Sequence, residues 1–261
     1  MIEHNFKKKF GQNFLTDKNI INKIISVSNI KNNSLIIEIG PGSGSLTREL
    51  IKYGQVLAYE IDTELRKTLD NEFSNISNIE IIYDDFLNRN IKKDLEKYKY
   101  NNLYVIANLP YYITTPIIIK LIEEKINLEK MVIMVQKEVG ERFSAKVGTK
   151  DYSSITIFLN YYYNIKQEFI VSKNSFIPKP KVDSVILSLT KKQEKYKVKN
   201  EEIFFKLVKD SFKYKRKTLK NNLKNYNFSK IEEVLLKNNK KTDVRAEALS
   251  IEDFIEISNN L

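Results

Sequence analysis

The 261-residue chain contains no cysteine and no tryptophan, a single histidine (His4), seven glycines and five prolines. Without cysteine there is no disulfide framework, thiolate zinc site, iron–sulfur cluster or thiol nucleophile. With one imidazole a His-paired metal centre is hard to build, so no metal is expected. Chemistry must then run on carboxylates, amides, hydroxyls, backbone groups or a borrowed cofactor. Long apolar runs are missing as well: mean hydropathy is −0.40, and no stretch approaches the ~20 residues that a membrane span needs. Residues 1–6 carry neither a secretory apolar region nor an Arg/Ser-rich transit pattern. A soluble, cytoplasmic, monomeric protein with no membrane partner is the expectation.

What is abundant is positive charge, +11 from 44 basic and 33 acidic side chains. It is not spread evenly. Residues 191–245 hold 18 basic and 7 acidic side chains, whereas the rest of the chain balances at 26 of each. The first two-thirds is electrically neutral and the last third strongly basic, which calls for an anionic partner there.

The apolar pattern changes at the same place. Short β-branched runs at 35–39, 56–61, 79–83, 103–107 and 131–136 read as buried strands, with helices between them at 46–52, 63–73 and 115–124. Alternation of this kind predicts a parallel, doubly wound α/β sheet. Residues 168–171 and 182–189 look like a further strand pair around a Pro178/Pro180 turn. From about Glu201 the pattern is purely helical. Two domains are expected, 1–190 and 191–261, joined in the Lys/Glu-rich stretch 191–199.

The segment Glu38-Ile39-Gly40-Pro41-Gly42-Ser43-Gly44 reads as a strand running through a glycine turn into a helix. Gly40 and Gly42 allow a ligand's polar group to approach the backbone and supply positive φ. Alone this is a weak signal, since ordinary tight turns look the same. The next strand, however, ends at Glu60, where such folds place a carboxylate on ribose hydroxyls, and the one after it ends at Asp85. An adenosine-containing ligand fits best. NAD stays open, although Pro41 and the lack of G-x-G-x-x-G spacing count against it.

The fourth strand is followed by Asn108-Leu109-Pro110-Tyr111. Methylation of an exocyclic amine needs the nitrogen lone pair aimed in line at the donor carbon. The Asn108 amide oxygen and a backbone carbonyl can accept the two N–H groups and impose that aim. Pro110 rigidifies the turn, and Tyr111 can stack on a base drawn out of its helix. The bland alternative is an Asx turn before a core tyrosine. Behind a glycine loop and paired acids, the catalytic reading is favoured.

These motifs, taken with others in order, resemble the KsgA-type rRNA adenine N6,N6-dimethyltransferases. The resemblance covers nearly the whole chain. It includes Lys9-Phe10-Gly11-Gln12-Asn13-Phe14-Leu15, Gln136-Lys137-Glu138-Val139 and Phe176-Ile177-Pro178-Lys179-Pro180-Lys181-Val182. It continues through Lys215-Arg216-Lys217-Thr218-Leu219, Arg245-Ala246-Glu247 and Leu249-Ser250. It implies a Rossmann-like S-adenosylmethionine-dependent core with a small all-helical C-terminal domain. Asn13, Leu15 and Gly40 would line the methyl-donor site, with Glu60 on the ribose and Asp85 on the adenine amine. Asn108 would bridge donor and target, binding the target amine with the Leu109 carbonyl. Tyr111 and Phe176 would sandwich the target adenine, Phe176 being equally readable as a core aromatic. Gly140, where the family often has alanine, should weaken its helix by roughly 1 kcal/mol.

In the basic third, Lys206, Lys209, Lys213, Lys217, Lys220 and Lys224 would form one face of a continuous helix. Acids are nearly absent from 213 to 230, so Lys213, Lys217, Lys220 and Lys224 suit a phosphate backbone better than a merely solvated face. The expected activity is dimethylation of two adjacent adenines near the 3′ end of small-subunit (16S) rRNA in the assembling subunit. The alternatives are an Erm-type enzyme acting on large-subunit rRNA and a non-catalytic ribosome-assembly factor.

Overall fold

The computed structural model describes residues 13–261, so the expectations that fall on residues 1–12 lie outside it. The described residues open with the two-residue strand β1 (Phe14–Leu15) and helix α1 (Lys18–Ser28), and then β2 (Ser34–Ile39), α2 (Thr47–Leu50), β3 (Gln55–Tyr59), α3 (Arg66–Phe73) and β4 (Ile79–Ile82). Next come α4 (Ile91–Leu95), β5 (Asn102–Asn108), α5 (Thr114–Glu123), β6 (Lys130–Gln136), α6 (Lys137–Phe143) and α7 (Ser154–Tyr162). After these follow β7 (Tyr163–Val171), β8 (Phe176–Ile177), β9 (Ser184–Lys191), α8 (Glu201–Ser211), α9 (Leu219–Asn222), α10 (Phe228–Lys237) and α11 (Ile251–Asn260).

The sheet has seven strands in the order β4-β3-β2-β5-β6-β9-β7. Strands β4, β3, β2, β5 and β6 are parallel, and β9 is antiparallel to β6. The sheet is therefore mixed, its parallel part being the part that sequence alternation predicts. All six residues of β2 are buried, as a strand covered on both faces must be. Helix α1 starts on Asp17, whose side chain accepts the Asn19 and Ile20 N–H groups, and stops at Asn29 in the left-handed conformation. Its Ile21, Ile24 and Ile25 pack with Ile36, Val56, Ala58, Ile106 and Met134 of the sheet.

The chain divides into two compact units. The first runs to Gly140 and resumes at Lys166–Lys191; the second comprises Glu141–Ile165 and Lys192–Leu261. The single boundary expected near residue 190 is thus incomplete, because a helical excursion from the first two-thirds belongs to the second unit. The reason is apolar packing: Tyr152, Ile157 and Tyr161 are buried in one cluster with Phe204, Leu219, Leu235 and Phe254. Capping boxes at Ser153/Thr156 and Ser250/Asp253 set the starts of α7 and α11.

The continuous lysine helix does not form. Helix α8 ends at Ser211 and α9 begins only at Leu219, capped by Thr218. Asn222 stitches the break: its Oδ1 accepts the Tyr214 N–H at 3.1 Å, and its Nδ2 donates to the Ser211 carbonyl at 2.7 Å. Val208, Leu219 and Leu223 are nonetheless buried, and Phe212 is half-buried.

Gly140 also behaves differently from its helix propensity. A Cβ placed there would stand 2.2 Å from Val185 Cγ1, on the strand beneath α6. Propensity alone makes Gly140→Ala stabilising, but overpacking of this kind typically costs about 1–3 kcal/mol. Urea unfolding should find Gly140→Ala less stable than wild type; a more stable variant would restore the propensity reading.

Candidate active site

Strand β2 pairs with β3 on one side and β5 on the other, so the chain reverses its direction of growth across the sheet there. Loops leaving the carboxyl ends of these strands diverge and leave a crevice, the usual ligand position in open α/β sheets. A cavity opens at that edge. Its lining includes Asn13, Leu15, Gly40, Gly42, Glu60, Asp85, Asn108, Leu109, Pro110 and Tyr111, which are all but one of the residues that sequence assigns to donor and target. Phe176 is the exception. Opposite Leu15 in the β1–β8 pair, it is buried among the core side chains on one face of the sheet and does not line the cavity.

The glycine loop is shaped by positive φ at Gly40, Gly42 and Gly44. At Gly42 (φ +59°) a Cβ would also lie 2.8 Å from the Phe14 ring, so any side chain would displace the cavity wall. Glu60 holds this loop down. Its Oε2 accepts the Gly42 N–H at 3.0 Å and its Oε1 accepts the Asp62 N–H at 2.8 Å. Burial raises its carboxyl above the ordinary range, and the two backbone donors oppose that rise. A carboxylate has about four acceptor positions, so two remain for a ligand's hydroxyls.

Asp85 accepts the Leu87 N–H at 2.9 Å through Oδ1, and its own N–H donates to Asp84 at 2.8 Å. Arg89 braces this turn by donating to Asp84 (3.2 Å) and to both oxygens of Asp94 (3.0 and 2.6 Å). The Tyr59 hydroxyl donates to the same Asp94 at 3.1 Å.

At the far wall, Asn108 Nδ2 donates to the Asn13 carbonyl at 3.1 Å. That bond fixes which end of the amide is committed and leaves Oδ1 as the acceptor on offer. The Leu109 N–H donates to Met134, and the Pro110 carbonyl accepts the Ile113 N–H and the Thr114 hydroxyl. Tyr111 is half-buried, its hydroxyl 2.7 Å from the Ser184 hydroxyl.

Sequence reasoning passed over Glu38. It lines the cavity and is buried, and among the described residues its Oε2 has no hydrogen-bond partner. Burial pushes its carboxyl up to about 8. The signal was visible, since Glu38 is the one charge in the apolar strand Ser34–Ile39. A buried carboxyl with one unpartnered oxygen, acids at successive strand ends and a glycine loop that admits no Cβ together suit a cationic adenosine derivative. Such a ligand carries an ammonium, ribose hydroxyls and an adenine amine.

Basic side chains of the second unit are placed differently from expectation. Lys213 and Lys217 lie in the α8–α9 connection, Lys220 in α9 and Lys224 just beyond it, all exposed. Sequence reasoning omitted Tyr214, which is also exposed there, with Lys213 Nζ 5.5 Å from its ring centre.

Fold and site together define a Rossmann-like methyltransferase with S-adenosylmethionine as donor. The family model described as ribosomal RNA adenine dimethylase matches residues 3–261, and the chain belongs to that family. It is 44% identical to ribosomal RNA small subunit methyltransferase A of Streptococcus thermophilus, covering 98% of this chain and 92% of that protein. The enzyme of the same name from Staphylococcus aureus is also 44% identical, covering 97% and 89%. Among solved structures, a dimethyladenosine transferase from Plasmodium falciparum superposes with TM-score 0.76 at 27% identity, covering 94% of this chain and 95% of that one. The 23S rRNA methyltransferase ErmE gives 0.75 at 25% identity, covering 95% and 99%.

Because the Glu38 carboxyl is raised from 4.5 to about 8 in the folded chain, the folded state holds a proton there that the unfolded state has released. Stability is therefore lost as pH rises from about 5 to 8. Glu38→Gln removes this loss, so the variant should gain on wild type across that window in ligand-free urea unfolding. Parallel pH curves for the two proteins would refute the assignment.

Proposed function

We propose that this chain transfers methyl groups from S-adenosylmethionine to N6 of two adjacent adenines near the 3′ end of small-subunit rRNA. The observation that carries this reading is Asn108: its amide is oriented by the Asn13 carbonyl beside a cavity built for an adenosine ligand. The 44% identity to small-subunit enzymes, against 25% to the large-subunit enzyme ErmE, favours the small-subunit substrate.

The donor, when bound, supplies an electrophilic methyl group on a sulfonium. Glu60 would hold the ribose hydroxyls, Asp85 the adenine amine and Glu38 the ammonium, while Asn13, Leu15, Gly40 and Gly42 shape the walls. Asn108 Oδ1 and the Leu109 carbonyl accept the two N–H groups of the target adenine. This turns the nitrogen lone pair toward the methyl carbon and keeps it from delocalising into the ring. Tyr111, pinned by Ser184, stacks on the extruded base, a contact worth about 1–3 kcal/mol. Once methylated, the amine is acidic enough to release its proton to solvent, so no strong general base is needed. Phe176 acts indirectly, by backing Leu15.

Lys213, Lys217, Lys220 and Lys224 hold the RNA backbone. They do so from a loop and a short helix rather than from one helical face.

Two measurements test this reading. Asn108→Ala should lower kcat for methyl incorporation into small subunits by about 10²-fold or more, as expected for a lost positioning contact. Equal activity would remove Asn108 from the mechanism, and transfer by wild type to large-subunit RNA alone would replace the substrate. Neutralising Lys213, Lys217 and Lys220 together should weaken RNA binding and flatten its salt dependence by up to about 0.9 slope units per lost duplex contact. An unchanged slope would return these lysines to a solvated face.

A further inference from the structure

The first unit also gathers positive charge at one bend. Asp183 stands at its centre. The Asp183 main-chain carbonyl accepts the Lys137 N–H at 3.0 Å, and its Oδ1 accepts the Lys173 N–H at 2.9 Å. These bonds hold the start of α6 and the turn after β7 against the segment Ile177-Pro178-Lys179-Pro180-Lys181-Val182. Lys137, Lys179 and Lys181 are exposed, and so are Ile177 (55%) and Val182 (45%). The acids close by in sequence are Asp183, whose Oδ1 is already engaged, and Glu138 beside Lys137.

This shelf is tied to the catalytic cavity at both ends. Ser184, the residue after Asp183, carries the hydroxyl that meets Tyr111 at 2.7 Å. Ile177 pairs with Phe14 of the cavity wall in the β1–β8 sheet. A base extruded into the cavity brings its own two phosphates to the rim, and those phosphates need cations there. Charge on a separate unit raises residence on RNA but does not select which nucleotide enters.

The geometry points to this shelf as a second RNA-binding surface: Lys179 and Lys181 hold the phosphates flanking the target adenine, with Ile177 and Val182 against the neighbouring sugars and bases. This rests on the adenine-methylation reading above and adds to it the residues that seat the target nucleotide.

The test is steady-state methylation of small ribosomal subunits by Lys179→Gln/Lys181→Gln, over a series of salt concentrations. Lys99→Gln/Lys125→Gln serves as the charge-matched control, both residues lying in connections that enter β5 and β6 at the opposite edge of the sheet. The shelf variant should raise KM for subunits with KM for the methyl donor at the wild-type value. It should also flatten the salt dependence of RNA binding by about 1.4 slope units, roughly 0.7 per lost single-strand contact. Arginine at both positions should restore both quantities. A subunit KM and salt slope equal to wild type, or shifts matched by the control, would overturn the shelf and leave the methylation reading standing. Failure of wild type to methylate small subunits would overturn both.

Discussion

The cavity depends on a buried carboxylate used as a brace. Glu60 directly follows β3 and grips two loops at once, taking one N–H from the glycine turn after β2 and another from the turn after β3. Burial penalises its charge and the backbone donors repay part of that penalty. A shorter or neutral side chain could not span both donors, and the loops would lose their common anchor. The shape of both loops is therefore a property of the same two oxygens.

Around that brace the sheet supplies direction. Because β2 is paired on both sides in parallel, the ends of β2, β3, β4 and β5 present their following residues at one edge. Residues as distant as Gly40, Asp85 and Asn108 become neighbours without any special contact between them. The side chains that line the cavity are held from behind. Asp94 and Arg89 brace the Asp85 turn, Asn13 orients Asn108, and Ser184 restrains Tyr111.

Much of this was legible in sequence because buried parallel strands are written as uninterrupted β-branched runs. The runs at 35–39, 103–107 and 131–136 meet β2, β5 and β6 within a residue at each end. The acids that close the strands were legible for the same reason, since a carboxylate ending such a run sits at the ligand edge. Other features depend on partners that no local pattern names. The apolar faces of Ile157 and Tyr161 show that α7 is covered but not that Phe204 and Phe254 cover it. The break between α8 and α9 contains neither glycine nor proline and is held by one asparagine side chain. Gly140 reads as a weak helix residue until Val185 is seen beneath it. Phe176 is an aromatic beside a proline turn in either role, and only its pairing with Leu15 assigns it to the core.

The bond from Asn108 to the Asn13 carbonyl joins residues 95 positions apart, and β1, next to Asn13, is held by β8 through the Leu15–Phe176 pair, whose residues are 161 positions apart. Long closures of this kind form late, because the chain must give up much of its freedom before they return anything. A polypeptide still emerging from the ribosome would have its glycine loop and its acids before the Asn108 amide was aligned. Both the cavity wall at Phe14 and Leu15 and the orientation of the Asn108 amide would thus be completed only once the segment after β7 had folded back onto β1.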